Sequence, residues 1–170
     1  MNSALKTLLI GLLIKICLLA GCGQYDIKVN DKIVYTPAKL LRVTGVSDPA
    51  LKLCIEQAIA DKLITAAIDL KDLNCSNAGI ARLDGLAAFN GLEQLKLSSN
   101  RIRNLVELEK LSALIDIWLD DNVIVDIVPL AKLPKLAQLD VFNNSELQCP
   151  SSDLFASSVK IRPAKHCLAQ

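Results

Sequence analysis

The side chains best suited to catalysis are four aspartates, Asp116, Asp120, Asp121 and Asp140. Two carboxylates held at a defined separation are what glycoside hydrolysis requires. One of the two must also be buried enough for its pKa to rise. The four aspartates are expected to lie on a shallow, open surface of the protein, which does not supply that burial. We therefore expect no catalytic residue and no enzymatic activity.

Metal and cofactor chemistry have little support in the sequence. The chain holds one histidine, His166, and six cysteines, none in a Cys-x-x-Cys spacing. A zinc site needs several such ligands, usually at short spacings. His166 follows Lys165 directly and is expected to be a solvated loop residue. Calcium binding by the aspartates is equally disfavoured, and no glycine-rich phosphate loop is present. We expect no metal and no cofactor.

A repeat of 22 residues positions these side chains and covers residues 70 to 144. Leucine opens each unit, at Leu70, Leu92, Leu114 and Leu136. The second unit runs Leu-x-x-Leu-x-Leu-x-x-Asn-x-Ile-x-x-Leu-x-x-Leu-x-x-Leu, and the others follow it closely. One such unit cannot bury its own leucines, so the units must stack and share a core.

This pattern resembles the leucine-rich repeat, and its 22-residue form with Pro129-Leu130 resembles the internalin type. The resemblance implies an α/β fold. It would be a short solenoid with a curved parallel sheet on the concave face and a cap at each end, since the terminal units would otherwise expose apolar surface.

In that family the asparagines at Asn100, Asn122 and Asn144 form a ladder of amide hydrogen bonds inside the turns. We interpret them as structural residues. The first unit departs from the pattern, because Ala78 takes the ladder position and Asn77 stands one place earlier. We expect its turn to differ.

Alternation along each strand sends leucines inward and the intervening side chains outward to the concave face. The outward set includes Trp118, the only tryptophan, with Phe142 diagonally across on the next strand. An exposed aromatic pair rimmed by charge is typical of an interface hot spot. The alternative is that Trp118 packs on Phe142 and a cap loop. The predicted partner-binding residues are Lys96, Asp116, Trp118, Asp120, Asp140 and Phe142.

The amino terminus carries a targeting signal. Lys6 precedes an apolar run that ends Leu19-Ala20-Gly21-Cys22, and this ending resembles a bacterial lipobox. The resemblance implies a signal peptide over residues 1–21, cleavage before Cys22 and a lipid on the Cys22 thiol. The alternatives are an uncleaved membrane anchor and an ordinary signal peptide, but the run is short for a membrane span and contains Lys15.

Four cysteines remain after cleavage and lipidation, in a compartment that favours disulfides. They allow three pairings. In the solenoid frame, Cys54 and Cys75 flank the entry to the repeats, and Cys149 and Cys167 flank the exit. We expect these two pairs to lock the two caps.

Asp48-Pro49 predicts the start of the amino-terminal cap helix, an acidic N-cap followed by proline. At the other end Glu146 breaks the apolar pattern, and Leu147 is expected to replace it after a one-residue shift. Phe155 and Val159 should cover the last unit. The predicted domains are a signal peptide at 1–21, a lipid-anchored tether or hairpin at 22–47, a cap helix at 48–69, repeats at 70–148 and a carboxy-terminal cap at 149–170.

A hairpin within 22–47 is predicted from alternation of Ile27 with Val29 and of Ile33 with Tyr35, on either side of a turn at Asn30-Asp31.

Cleavage at the lipobox removes two of 19 basic residues and leaves 18 acidic ones, so the mature chain is near neutral and nucleic-acid binding is disfavoured. We expect a monomer, attached to a membrane by its lipid, that binds an envelope protein or polysaccharide. Gly23 after the lipid cysteine implies the outer membrane of a Gram-negative cell by family analogy, and the short tether favours its periplasmic side. The alternatives are an adhesin of internalin-like fold at the cell surface and a structural spacer without a partner.

Overall fold

The computed structural model describes residues 26–36 and 39–169. The chain divides into two compact units, with the boundary in the sequence between Lys39 and Leu40. The predicted signal peptide and the lipidation site at Cys22 lie outside the described residues. No helix in the part of the chain that the structure describes is long and apolar enough to cross a bilayer.

The first unit contains the predicted hairpin. Strands β1 (Ile27–Val29) and β2 (Lys32–Tyr35) pair antiparallel. The turn residues Asn30 and Asp31 both have positive φ, at 49° and 63°. Two consecutive left-handed residues form the turn type that matches the twist of a two-residue hairpin, and asparagine and aspartate tolerate that conformation best.

The second unit is a stack of 22-residue turns joined by one five-stranded parallel sheet in the order β3-β4-β5-β6-β7. Each strand pairs with the next in a 22-residue register, as Leu73 with Leu95 and Leu95 with Ile117. The strands are β3 (Asp72–Asn74), β4 (Gln94–Lys96), β5 (Asp116–Trp118), β6 (Gln138–Asp140) and β7 (Lys160–Arg162).

Short 3₁₀ helices return the chain from β3 to β4, from β4 to β5 and from β5 to β6: Leu86–Ala88, Val106–Lys110 and Val128–Lys132. Two more lie before β3 and after β7: Ala67–Asp69 and Lys165–Ala169. The repeated apolar positions form one continuous core, in which Leu95, Ile117 and Leu139 are fully buried. The predicted leucine-rich-repeat solenoid is confirmed.

The asparagine ladder is confirmed. In Asn100 the side-chain Oδ1 accepts a hydrogen bond from Ile80 N at 2.9 Å, and Nδ2 donates to Cys75 O at 2.9 Å and to Leu97 O at 2.8 Å. Asn122 and Asn144 repeat these bonds one and two units on. Each amide therefore satisfies buried backbone groups of two successive turns, which would otherwise carry a desolvation cost.

The expectation that the first turn differs is confirmed. Each unit places one residue in the left-handed region just before the ladder position, and Asn77 in the first unit has φ 58° against 57° for Ser99. The first unit adds a second left-handed residue, Gly79 with φ 79°, where the next two units have Arg101 and Val123 without positive φ.

Helix α1 (Pro49–Lys62) caps the first repeat, and Leu51, Ile55 and Ile59 form its buried face. The predicted N-cap role of Asp48 is confirmed, since its Oδ1 accepts bonds from Ala50 N and Leu51 N at 3.0 and 3.2 Å.

Asp48 also has a role that the sequence did not indicate. Its Oδ2 accepts hydrogen bonds from Ala81 N and Arg82 N at 3.0 and 3.1 Å. Burial alone would raise the pKa of Asp48, but these two N–H donors and the two at the helix start together hold the pKa below its ordinary value. One carboxylate thus joins the cap to the first repeat.

The boundary predicted at residue 47 is too late. Residues 40 to 47 belong with the solenoid unit, because Leu41 N donates to Ile64 O at 2.9 Å and Val43 is buried in the shared core. This segment thickens the amino-terminal cap and shortens the predicted tether.

Both predicted disulfides are present, Cys54–Cys75 at the entry and Cys149–Cys167 at the exit. Leu147 is buried while Glu146 is exposed, which confirms the one-residue shift. The carboxy-terminal cap also contains a strand that was not predicted from the sequence. This strand is β7, which extends the sheet by a fifth strand in the same 22-residue register, with Leu139 opposite Ile161.

Candidate functional site

The outward side chains of β3 to β7 and of the residues directly after those strands form one continuous surface, which we call the sheet face. The parallel register aligns side chains of successive units in columns, with about 4.8 Å between neighbouring strands within a column. All six predicted partner-binding residues lie on this face. The central column contains Asn74, Lys96, Trp118, Asp140 and Arg162.

Trp118 occupies the middle of that column, where the sequence predicted it. Lys96 Nζ lies 4.8 Å from the centroid of the indole ring, within the range of a cation–π contact. Trp118 is half-buried, whereas the sequence predicted an exposed side chain. The neighbouring lysine covers part of the ring and restricts the rotamers of both side chains.

Asp140 is not the free rim charge that the sequence suggested. Only 9% of the residue is exposed. Its Oδ1 accepts a hydrogen bond from Phe142 N at 3.0 Å, and its Oδ2 accepts one from Arg162 Nη1 at 3.1 Å. The carboxylate therefore positions its neighbours and has little surface left for a partner.

Arg162 completes this cluster and was missed by the sequence analysis. Its guanidinium carbon lies 4.1 Å from the centroid of Phe142, while its side chain stays 59% exposed. The 22-residue period does indicate this strand, because each residue of Lys160–Arg162 stands 22 positions after its partner in β6. Ser158 and Pro163, which stand where the frame has apolar side chains, concealed it.

The other three aspartates of the set considered for catalysis accept hydrogen bonds from neighbouring units. Asp116 accepts a hydrogen bond from Gln94 Nε2 at 3.4 Å, and Asp120 accepts one from the Ser98 hydroxyl. Asp121 accepts one from the side-chain amide of Asn143. These carboxylates are therefore distributed among separate cross-unit pairs, an arrangement that holds a surface in place.

His166 lies beside the carboxy-terminal disulfide. Its ligand nitrogen and the sulfurs of Cys149 and Cys167 are within 4.8 Å of one another. The two sulfurs are bonded to each other, so neither is the thiolate that zinc binds. His166 is exposed as expected, but its Nε2 lies 2.8 Å from Leu147 O and ties the last 3₁₀ helix to the fourth unit.

The 22-residue register, the asparagine ladder and the two disulfide-linked caps define a leucine-rich-repeat solenoid with an aromatic and charged sheet face. No family model matches the chain, and no curated protein matches it.

Two solved structures with similarity to the chain are internalins from Listeria monocytogenes, the class that the repeat resembles. Internalin C2 is 29% identical over 51% of this chain and 37% of its own, with a TM-score of 0.42. Internalin F is 18% identical over 69% of this chain and 44% of its own, with a TM-score of 0.46. The chain thus spans less than half the length of either, and the fold assignment rests on its own repeats and sheet.

Proposed function

We propose that this chain is a bacterial envelope lipoprotein that binds another envelope protein through the sheet face and performs no catalysis. A lipid on Cys22 would hold it on the periplasmic side of the outer membrane. The sequence Leu19-Ala20-Gly21-Cys22 supports the anchor, and two disulfides suit an oxidising compartment.

The observation that carries the binding function is the pair of cation–aromatic contacts, Lys96 on Trp118 and Arg162 on Phe142. Tryptophan and arginine are the residue types that most often dominate interface energetics. Here each aromatic ring and its cation already restrict one another, so a partner would immobilise few additional rotamers on binding.

The same contacts favour a protein over a polysaccharide. A sugar ring that stacked on Trp118 would compete with Lys96 for the ring surface, and one on Phe142 would compete with Arg162. A protein partner can instead add carboxylates to the two cations and apolar side chains to the ring edges.

The binding function is tested by photo-crosslinking in intact cells from position 118, with the adducts identified by mass spectrometry. Position 128 is the matched control, because Val128 is exposed on a 3₁₀ helix outside the sheet face. We expect an envelope protein to be trapped from 118 and not from 128. The same adducts from both positions, or none from 118 in a lipidated protein, would contradict the proposal.

The anchor is tested separately by labelling cells with palmitate. Label in the wild type, and its loss together with membrane attachment in Cys22→Ala, is the expected result. Added protease should spare the chain on intact cells. Cleavage there would favour the surface adhesin, whereas a Trp118→Ala variant that alters stability but no association would favour the spacer.

A further inference from the structure

The carboxy-terminal end of the stack leaves core positions uncovered. The 22-residue frame continues to this end, so that Cys149, Phe155, Ile161 and Pro163 occupy the positions of core residues one repeat earlier. All four are only half-buried. Their counterparts are at most 6% exposed: Ile127, Leu133, Leu139 and Val141.

A cavity of about 600 Å³ lies at this end of the stack. Phe155, Val159, Ile161 and the Cys149–Cys167 disulfide contribute its apolar wall. Ser152 stands in the frame position of the fully buried Leu130 and also lines the cavity, so a large core side chain is replaced by a small one. The space has the size of a few aliphatic side chains.

β7 borders this cavity and is an edge strand among the described residues, since β6 is its one partner in the sheet. Lys160 N donates to Ala137 O at 2.8 Å, and Arg162 O accepts from Val141 N at 3.0 Å. Backbone groups alternate in direction along a strand, so the N–H and C=O of Ile161 point away from β6. An edge of this kind is a template for a further strand.

Charge decides which strand can occupy the edge. The outward side chains of β7 are both basic, Lys160 and Arg162, and both residues are exposed. Antiparallel pairing with β7 of a second copy would set Lys160 opposite Arg162 of that copy, and like charges directly opposite one another are destabilising. Acidic side chains in the added strand would instead be attracted.

We propose that the edge of β7 and the cavity beside it bind an extended segment of another protein in which acidic and apolar residues alternate. The segment adds a sixth strand to the sheet. Its apolar side chains enter the cavity, and its acidic side chains lie beside Lys160 and Arg162. This site shares Arg162 with the sheet face, but it rests on the free edge of β7 and the cavity and does not require a partner on the sheet face.

The test uses the full chain in a mild detergent and the end-blocked peptide Glu-Val-Glu-Leu-Glu-Val-Glu as the probe. Amide hydrogen exchange, followed by nuclear magnetic resonance, should slow about tenfold at Ile161 when the peptide is added. The matching peptide with lysine in place of glutamate should give no protection. Equal protection by both peptides, or none by the acidic one, would overturn the proposal.

Two variants and one control sharpen the result. Lys160→Glu should weaken peptide binding about tenfold, whereas Lys135→Glu, an exposed lysine between the fourth 3₁₀ helix and β6, should leave it unchanged. Ser152→Phe fills the cavity and should abolish binding without lowering the melting temperature. Protection of Ile161 that grows with protein concentration in the absence of peptide would assign the edge to a second copy and overturn the proposal.

Discussion

The guanidinium of Arg162 stacks on the ring of Phe142 with 4.1 Å between the guanidinium carbon and the ring centroid. The same guanidinium donates to Asp140. Arg162 belongs to the last strand, and the residues it contacts belong to the unit before it. The contact therefore closes the sheet face at its carboxy-terminal end and joins the cap to the repeats.

Arg162→Ala should lower the free energy of unfolding by about 1 kcal/mol, from the loss of a cation–π contact and of an ion pair in which the arginine is exposed and the aspartate is nearly buried. Arg162→Lys should recover only the part of this loss that is due to charge, because an ammonium group keeps the charge but cannot stack on the ring as a planar guanidinium does. Urea denaturation measures both. Lys160→Ala on the same strand is the control, and an equal loss there would show that the stack contributes nothing specific.

Asn122→Ala should destabilise the solenoid by about 2 to 4 kcal/mol, because it leaves buried backbone groups of two turns without partners. Urea denaturation is again the measurement. Asn104→Ala is the comparison, since Asn104 is exposed and accepts a single hydrogen bond, from Val106 N. Similar losses in the two variants would mean that the ladder is not a special source of stability.

Asp48→Asn should cost about 2 to 3 kcal/mol at neutral pH, because the amide group would face the N–H groups of Ala81 and Arg82 with a donor where a carboxylate oxygen now accepts. The difference in unfolding free energy between wild type and variant is the quantity to measure.

That difference should depend on pH. The pKa of Asp48 in the folded chain lies below the ordinary value for an aspartate, so its stabilisation is complete above the ordinary value and is lost as the pH falls through the folded pKa. A series of measurements from pH about 6 downwards should thus show a large difference that shrinks as the solution becomes more acidic than the ordinary aspartate pKa. Asp153→Asn is the control, because hydrogen bonds also lower the pKa of Asp153 but its carboxyl is fully exposed. A pH-independent difference for Asp48→Asn would refute the assignment.

Replacing both cysteines of either disulfide by serine should lower stability by about 3 kcal/mol, from the added chain entropy of the unfolded state. The two variants should behave alike, since the bonds span similar separations of 21 and 18 residues. Urea denaturation with and without a reductant measures the effect. Peptide mapping of the unreduced wild type should recover Cys54 with Cys75 and Cys149 with Cys167, and any other pairing would contradict the structure.

Much of the fold was predictable because its signals are local. A 22-residue period identifies the buried positions, and Asp48-Pro49 and Asn30-Asp31 carry the chemistry of a helix start and a hairpin turn. β7 was missed for an equally local reason. A terminal unit needs less core than an internal one, so serine and proline replace the residues that would have revealed the repeat.

Which side chains point inward and which reach the sheet face follows from the repeat pattern, because alternation along a strand and stacking of repeats leave one consistent register. What the outward side chains do depends on contacts between strands that the repeat pattern does not specify. Asp140 looks like a surface charge in the sequence, yet Arg162 and the backbone of Phe142 bind it and remove it from solvent. Such pairings depend on where the stack ends and on which rotamers meet across strands, and the repeat specifies neither.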